Sequence, residues 1–338
     1  MEIGIGLDPT LRLSWGEQRE VAQEAVKLGY ESAWTPAGAT SRDAFHVCAR
    51  WALATDNALG TGISVVPVAH WTVPQLAASA ATVGDLSDGK FALGVGTGGA
   101  YTAGAMKAYG LPAFPAIALM RDYLVTLRAL LAGERVDYEG KTVTLKGVQL
   151  GFKPPHVPVY LGALGPQMLR LAGEASDGAA LNWCSPEQIA WSRRRIAEGA
   201  KKAGRDPSEV KVVEYIRVCV DEDVDAARRA LAKATLGYAM ARPGASKEQG
   251  YRAHFARMGF DDVLNDLEAR REKGATDDEL AEVFPAELLS RTSVFGTPAT
   301  AAREFRRLAE GLDVAIVRVV PARPGIEGVR QMMRACIS

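Results

Sequence analysis

Short apolar runs of strand character alternate with helical stretches along nearly the whole of this 338-residue chain, and no other feature restricts its fold as strongly. Strand candidates lie at residues 3–7, 32–35, 58–65, 91–95, 158–162, 178–182, 210–220 and 315–320. The helix after the first strand runs from the cap candidate Ser14 to Leu28, with Val21, Ala25 and Leu28 on one face and Gly29 closing it. Further helices are expected at 43–54, 74–86, 117–131, 166–174 and 186–204, with another starting near Asp223. Eight strands, mostly apolar on both faces and each but the last followed by a helix, predict an α/β fold of the (β/α)₈ TIM-barrel type. It is expected to form one domain over residues 1–338 with two interruptions. Residues 136–145 read as a hairpin turning at Glu139-Gly140, and 235–298, polar and without a strand candidate, read as a helical insertion after strand seven.

Charge narrows the partners. Forty basic and forty acidic residues cancel and form no long run of one sign, which argues against nucleic acid and anionic membranes. The longest uncharged run, 58–84, is broken by prolines, glycines and His70, so it reads as strand, loop and helix, not a membrane span. Cys48, Cys184, Cys219 and Cys336 show no C-x-x-C spacing, so no metal site is expected and a reducing compartment fits. The start, MEIGIGLDPT, has no basic segment followed by an apolar one, so the expected location is cytoplasmic.

The stretch FALGVGTGGAY, 91–101, satisfies G-x-G-x-x-G through Gly94, Gly96 and Gly99. A dinucleotide fingerprint opens a nucleotide domain, whereas here three βα units come first, so these glycines belong to the end of barrel strand four. Gly96-Thr97-Gly98-Gly99 offers backbone N–H groups and a hydroxyl to a phosphate. Gly162-Ala163-Leu164-Gly165 does the same on the next strand, just before a helix whose N-terminus favours an anion. Tight strand-to-helix turns would explain the same glycines without a ligand. Acid/base candidates near strand ends are Asp8, His46, His70, Tyr101 and Glu214, with His70 and Asp8 the two assigned catalytic roles. Asn182 and Trp183, ending strand six, are expected to line the pocket, the amide bonding a cofactor and the indole covering it.

Five stretches resemble the bacterial luciferase-like family: LGTGISVVP (59–67), LSDGKFALGVGTG (86–98), PVYLGALGPQMLRLAGEASDGAALNW (158–183), VDEDVDAARRAL (220–231) and FGTPATAAREFRRLAEGLDVAIV (295–317). The resemblance implies a (β/α)₈ barrel that binds a flavin or deazaflavin, and the third stretch is most similar to the branch using coenzyme F420. It also implies a homodimer acting on a small molecule, and a non-proline cis peptide behind the cofactor ring, which by position would be Gly62–Ile63. Sugar-phosphate-oxidising members carry an Asp-His pair where this chain has Ala37-Gly38, and a Glu where it has Gly99. Their absence points away from sugar-phosphate oxidation and toward hydride transfer from deazaflavin C5 to an activated C=C or C=N bond. An FMN-dependent monooxygenase is the alternative, and a non-catalytic flavin- or deazaflavin-binding protein a second one.

Overall fold

Every predicted strand forms within two residues of its expected bounds in the computed structural model, which describes residues 1–98, 103–241 and 246–337. In chain order the strands are β1 (Glu2–Gly6), β2 (Ser32–Thr35), β3 (Gly60–Pro67), β4 (Phe91–Gly96), β5 (Val136–Glu139), β6 (Thr144–Val148), β7 (Val159–Gly162), β8 (Gly178–Asn182), β9 (Lys211–Val220), β10 (Ser293–Gly296) and β11 (Val314–Val319). The helices are α1 (Trp15–Leu28), α2 (Ala44–Ala54), α3 (Val73–Leu86), α4 (Ala103–Tyr109), α5 (Ala116–Leu131), α6 (Pro166–Ala175), α7 (Pro186–Lys202) and α8 (Val224–Ala239). They continue with α9 (Gly250–Phe255), α10 (Asp261–Glu272), α11 (Asp277–Val283), α12 (Ala286–Thr292), α13 (Pro298–Leu308) and α14 (Ile326–Ile337).

Strands pair in parallel in the order β1-β2-β3-β4-β7-β8-β9-β11, and β11 returns to β1, so the sheet closes into an eight-stranded TIM barrel. The β5–β6 pair is the predicted antiparallel hairpin. Local chemistry sets the helix starts. Ser14 and Glu17 form a capping box on α1, and the side chains of Asp43 and Asp223 cap α2 and α8 by accepting from His46 N and Ala226 N.

The barrel interior is filled by Trp34, Tyr160 and Tyr215, with Trp34 and Tyr160 stacked at 6.3 Å. Glycines face these rings because nothing larger fits. A Cβ on Gly62 would lie 2.4 Å from the Trp34 ring, one on Gly178 2.7 Å from Tyr160, and one on Gly6 3.0 Å from Tyr215.

Helices α8 to α12 build a second apolar cluster together with Trp183 and Cys219, containing Leu231, Phe255, Phe260, Leu264 and Phe284. Contrary to expectation, the 235–298 segment holds a strand: β10 pairs with Arg217 to Val220 of β9. Ten-residue β9 overhangs β8, whose pairing ends at Tyr215, and that overhang supplies the edge β10 needs. No helix among the described residues is long and apolar enough to cross a membrane.

Candidate active site

Active sites of such barrels lie at the C-terminal ends of the strands, and on the β3–β4–β7 side that rim is mostly backbone. The β3–β4 register shifts between Ile63 and Val66, and the non-proline cis bond is Ser64–Val65. The expectation of Gly62–Ile63 is therefore corrected by two residues. Gly62 is occupied with the Trp34 ring, and fully buried Ile63 packs in the main core between barrel and helices, so neither forms the rim. Val65 takes that place. Its side chain abuts the bare Cα positions of three glycines: a Cβ would come within 3.3 Å of it on Gly94, 2.9 Å on Gly96 and 3.1 Å on Gly162. Much of the glycine pattern is thereby explained by the approach of β3 to β4 and β7.

Thr97 and Gly98 follow, both partly exposed; Gly98 has φ +55° and its missing Cβ faces the Pro67 ring at 3.0 Å. Gly99 and Tyr101 fall outside the described residues. On the neighbouring strand, Ala163 is buried in the core, whereas Leu164 and Gly165 are partly exposed. Gly165 is the N-cap of α6 and provides no side-chain cap, and a Cβ there would meet nothing within 4 Å among the described residues. No side chain caps the start of α6, and a cation lies close by: Arg257 donates through Nη2 to the Leu164 carbonyl at 3.2 Å.

The β8–β9 side is built of polar side chains. Asn182 accepts from Arg217 Nη1 and donates through Nδ2 to the Tyr251 hydroxyl at 2.5 Å. Arg217 is 2% exposed, donates to the Tyr215 carbonyl at 3.1 Å and stacks on Trp183 with its guanidinium carbon 3.9 Å from the ring centroid. Burial draws its pKa down, and the neighbouring Tyr238 and Tyr251 act against that shift. Tyr238 meets Tyr251 edge-on at 4.9 Å. Trp183, expected to cover the cofactor, is fully buried at φ +59° and turned into the helical cluster against Phe255. Its role here is to back Arg217.

Glu214 lies beneath this group, 1% exposed, accepting from Cys184 N at 2.6 Å; burial pushes its carboxyl up to about 8. His254 bonds the Trp183 carbonyl at 2.8 Å, and burial lowers it to about 4.

Of the catalytic candidates, Asp8 pairs with Arg318, itself seated over the Tyr215 ring at 4.9 Å, and accepts from Thr10 N at 2.7 Å. Its carboxylate thus already serves an ion pair and a cap. His70 sits in the turn after β3, partly exposed, its ring edge-on to Tyr109 at 5.1 Å. His46 is a surface residue bonded to Asp43 at 2.7 Å. Sequence reasoning missed Arg217, Tyr238 and Tyr251. Arg217 had a legible signal, a cation inside an apolar strand. Tyr251 had none, since it reaches the rim only through the path of the insertion.

A closed parallel barrel with glycine-rich turns on one part of its rim and a polar cluster on another is the layout of a (β/α)₈ protein, whose ligand sites lie at the strand C-termini. The chain belongs to the luciferase-like monooxygenase family, whose model matches residues 2–314. It is 29% identical to a 5,10-methylenetetrahydromethanopterin reductase of Methanolobus tindarius over 319 residues, 94% of this chain and 91% of that one. An F420-dependent glucose-6-phosphate dehydrogenase of Rhodococcus erythropolis is 33% identical over 174 residues, about half of each chain (50% and 51%). The coenzyme F420 dependent tetrahydromethanopterin reductase of Methanopyrus kandleri has the same fold, with a TM-score of 0.82 at 22% identity, covering 99% of this chain and 98% of that one.

Proposed function

We propose that the protein is a coenzyme F420-dependent oxidoreductase that reduces an activated C=C or C=N bond of a small organic molecule. The observation that carries this is the N-terminus of α6, which has no side-chain cap at Gly165 and has Arg257 adjacent, an arrangement that fits the phosphate of such a cofactor. The near full-length similarity to a methylenetetrahydromethanopterin reductase supports the F420 branch and the direction of reduction. When bound, a reduced deazaflavin supplies hydride from ring C5.

This chain's residues hold and orient. Gly96, Thr97, Gly98 and the 162–165 loop receive the phosphate end, Val65 backs the ring, and Asn182 faces the opposite side of the barrel. His70 lies in the turn after β3, the strand that carries Val65, and packs edge-on against Tyr109. His70→Ala tests the role the sequence suggested for it: turnover about 100-fold lower with unchanged cofactor affinity would put the proton on its imidazole, and equal turnover would remove it from the mechanism.

The direct test is retention of F420 or FMN on ultrafiltration. The wild-type protein is expected to retain F420. Gly165→Asp should lose it while unfolding at the same midpoint as wild type or slightly higher, because aspartate is a good N-cap but places a negative charge where the phosphate would lie. Normal retention by that variant would remove the α6 cradle. Retention of FMN alone, with oxygen-consuming turnover, would replace the F420 reading with the monooxygenase one. Gly98 is a poorer probe, since φ +55° strains any side chain there whether or not a ligand binds.

A further inference from the structure

The chain of contacts from Arg217 to Tyr251 fixes where protons lie. A guanidinium has only donors, so the Asn182 atom facing Arg217 is Oδ1, and the amide nitrogen must then point to Tyr251. The Tyr251 oxygen therefore accepts, and its own proton is left to be donated elsewhere. Asn182 stands at the end of β8 on the same alternate positions as Ala180, which packs inside the barrel. The Tyr251 hydroxyl bonded to it is thus held at the barrel mouth, on a partly exposed side chain. Around the closed ring β8 and β9 are the sixth and seventh strands, across from β3, the third, which carries Val65. A planar group backed by Val65 would present its free face toward this tyrosine.

We propose that Tyr251 is the proton donor of the reduction, with Asn182 and Arg217 as its positioning residues; this rests on the hydride-transfer reading above. Hydride brings two electrons to the acceptor carbon. The π pair of the C=N bond moves to nitrogen, or that of a conjugated C=C moves through the carbonyl to oxygen. The Tyr251 O–H bond breaks and its proton bonds to that atom. The phenolate, held by the Asn182 N–H and the charge of Arg217, takes a proton back from water; the two electrons would be supplied by a bound reduced deazaflavin. The device suits acceptors that gain negative charge when hydride adds: neutral imines and conjugated carbonyl compounds. A cationic iminium needs no such proton. Arg217, Tyr238 and Cys184 are the titratable or charged groups acting on Tyr251; the cation lowers its pKa, the other two raise it, and burial leaves it at about 12.

The test uses full-length protein loaded with reduced F420, with cyclohexenone and methylpyrroline as acceptors in single-turnover mixing. Wild type should show a solvent deuterium isotope effect; Tyr251→Phe should retain cofactor, slow oxidation of the cofactor about 100-fold or more, and lose that effect. Reaction at the wild-type rate with an unchanged isotope effect would overturn the proposal. In cofactor-free protein with fluorotyrosine at position 251, fluorine NMR should show Arg217→Met moving its titration midpoint upward by about one pH unit or more. A midpoint indifferent to Arg217 would equally overturn it. If wild type retains F420 but reduces neither acceptor, the reading of the reaction fails, and the NMR result still decides the Arg217–Asn182–Tyr251 chain.

Discussion

Gly199→Ala is expected to destabilise the protein by about 3 kcal/mol or more, although it adds a single methyl group to a helix. In α7 a Cβ on Gly199 would lie 1.9 Å from the Arg170 carbonyl oxygen of α6, and one on Gly173 of α6 would lie 1.9 Å from the Ile196 carbonyl oxygen. The two helices meet backbone to backbone, so neither methyl can be absorbed by moving a side chain. Gly237→Ala supplies the contrast, since this exposed glycine in α8 has nothing within 4 Å of its missing Cβ. Relief of backbone entropy should there raise stability by about 0.5–1 kcal/mol. Urea unfolding midpoints check both, and a Gly199→Ala midpoint equal to wild type would mean that α6 and α7 do not approach so closely.

A second large effect is expected at Glu214. Its folded pKa is raised to about 8 from an ordinary 4.5 because burial disfavours the carboxylate. For a raised pKa, the contribution to stability is complete below the unfolded value and is lost as pH rises through the folded one. Between about pH 4.5 and 8 this single group should thus erode stability by about 1.4 kcal/mol per pH unit at most. Glu214→Gln keeps an acceptor for Cys184 N–H and cannot ionise, so it should remove that slope and stabilise the protein by several kcal/mol near pH 8. His254 works in the other direction. Its pKa, lowered to about 4, gives stability that is present above about 6.5 and lost as pH falls through 4. Unfolding followed across pH 4 to 9 checks this, and parallel curves for wild type and Glu214→Gln would contradict it.

The barrel was legible because its signals are local. Ser14 with Glu17, Asp43 and Asp223 mark helix starts by hydrogen bonds within a few residues, and the apolar strands and the β5–β6 hairpin carry their own patterning. The turns at 96–98 and 162–165 were legible because their glycines stand between a strand and a helix. The chain was illegible where the deciding contact is distant. The run GTGISVV has no periodicity that tells Ser64–Val65 from Gly62–Ile63; the cis bond is placed by where Gly94, Gly96 and Gly162 leave room. Trp183 turns away from the mouth because its backbone enters the left-handed region before a cysteine held by Glu214, 30 residues further on. β10 is only four residues long, and it is a strand because β9 outruns its neighbour.

The rim's opposite sides are written in different stretches of chain and in different materials. One side is main chain and bare Cα atoms, set by β3, β4 and the turn into α6; the other is side chains from β8, β9 and the helices inserted after β9. Altering the first disturbs strand packing at once, because its glycines double as clearance for Val65. Altering the second means exchanging residues such as Tyr238 and Tyr251 on helices whose apolar cluster is separate from the barrel's. On the proposed function, a barrel so divided could change the molecule it acts upon by rewriting the inserted helices alone, leaving the glycine-lined side as it is.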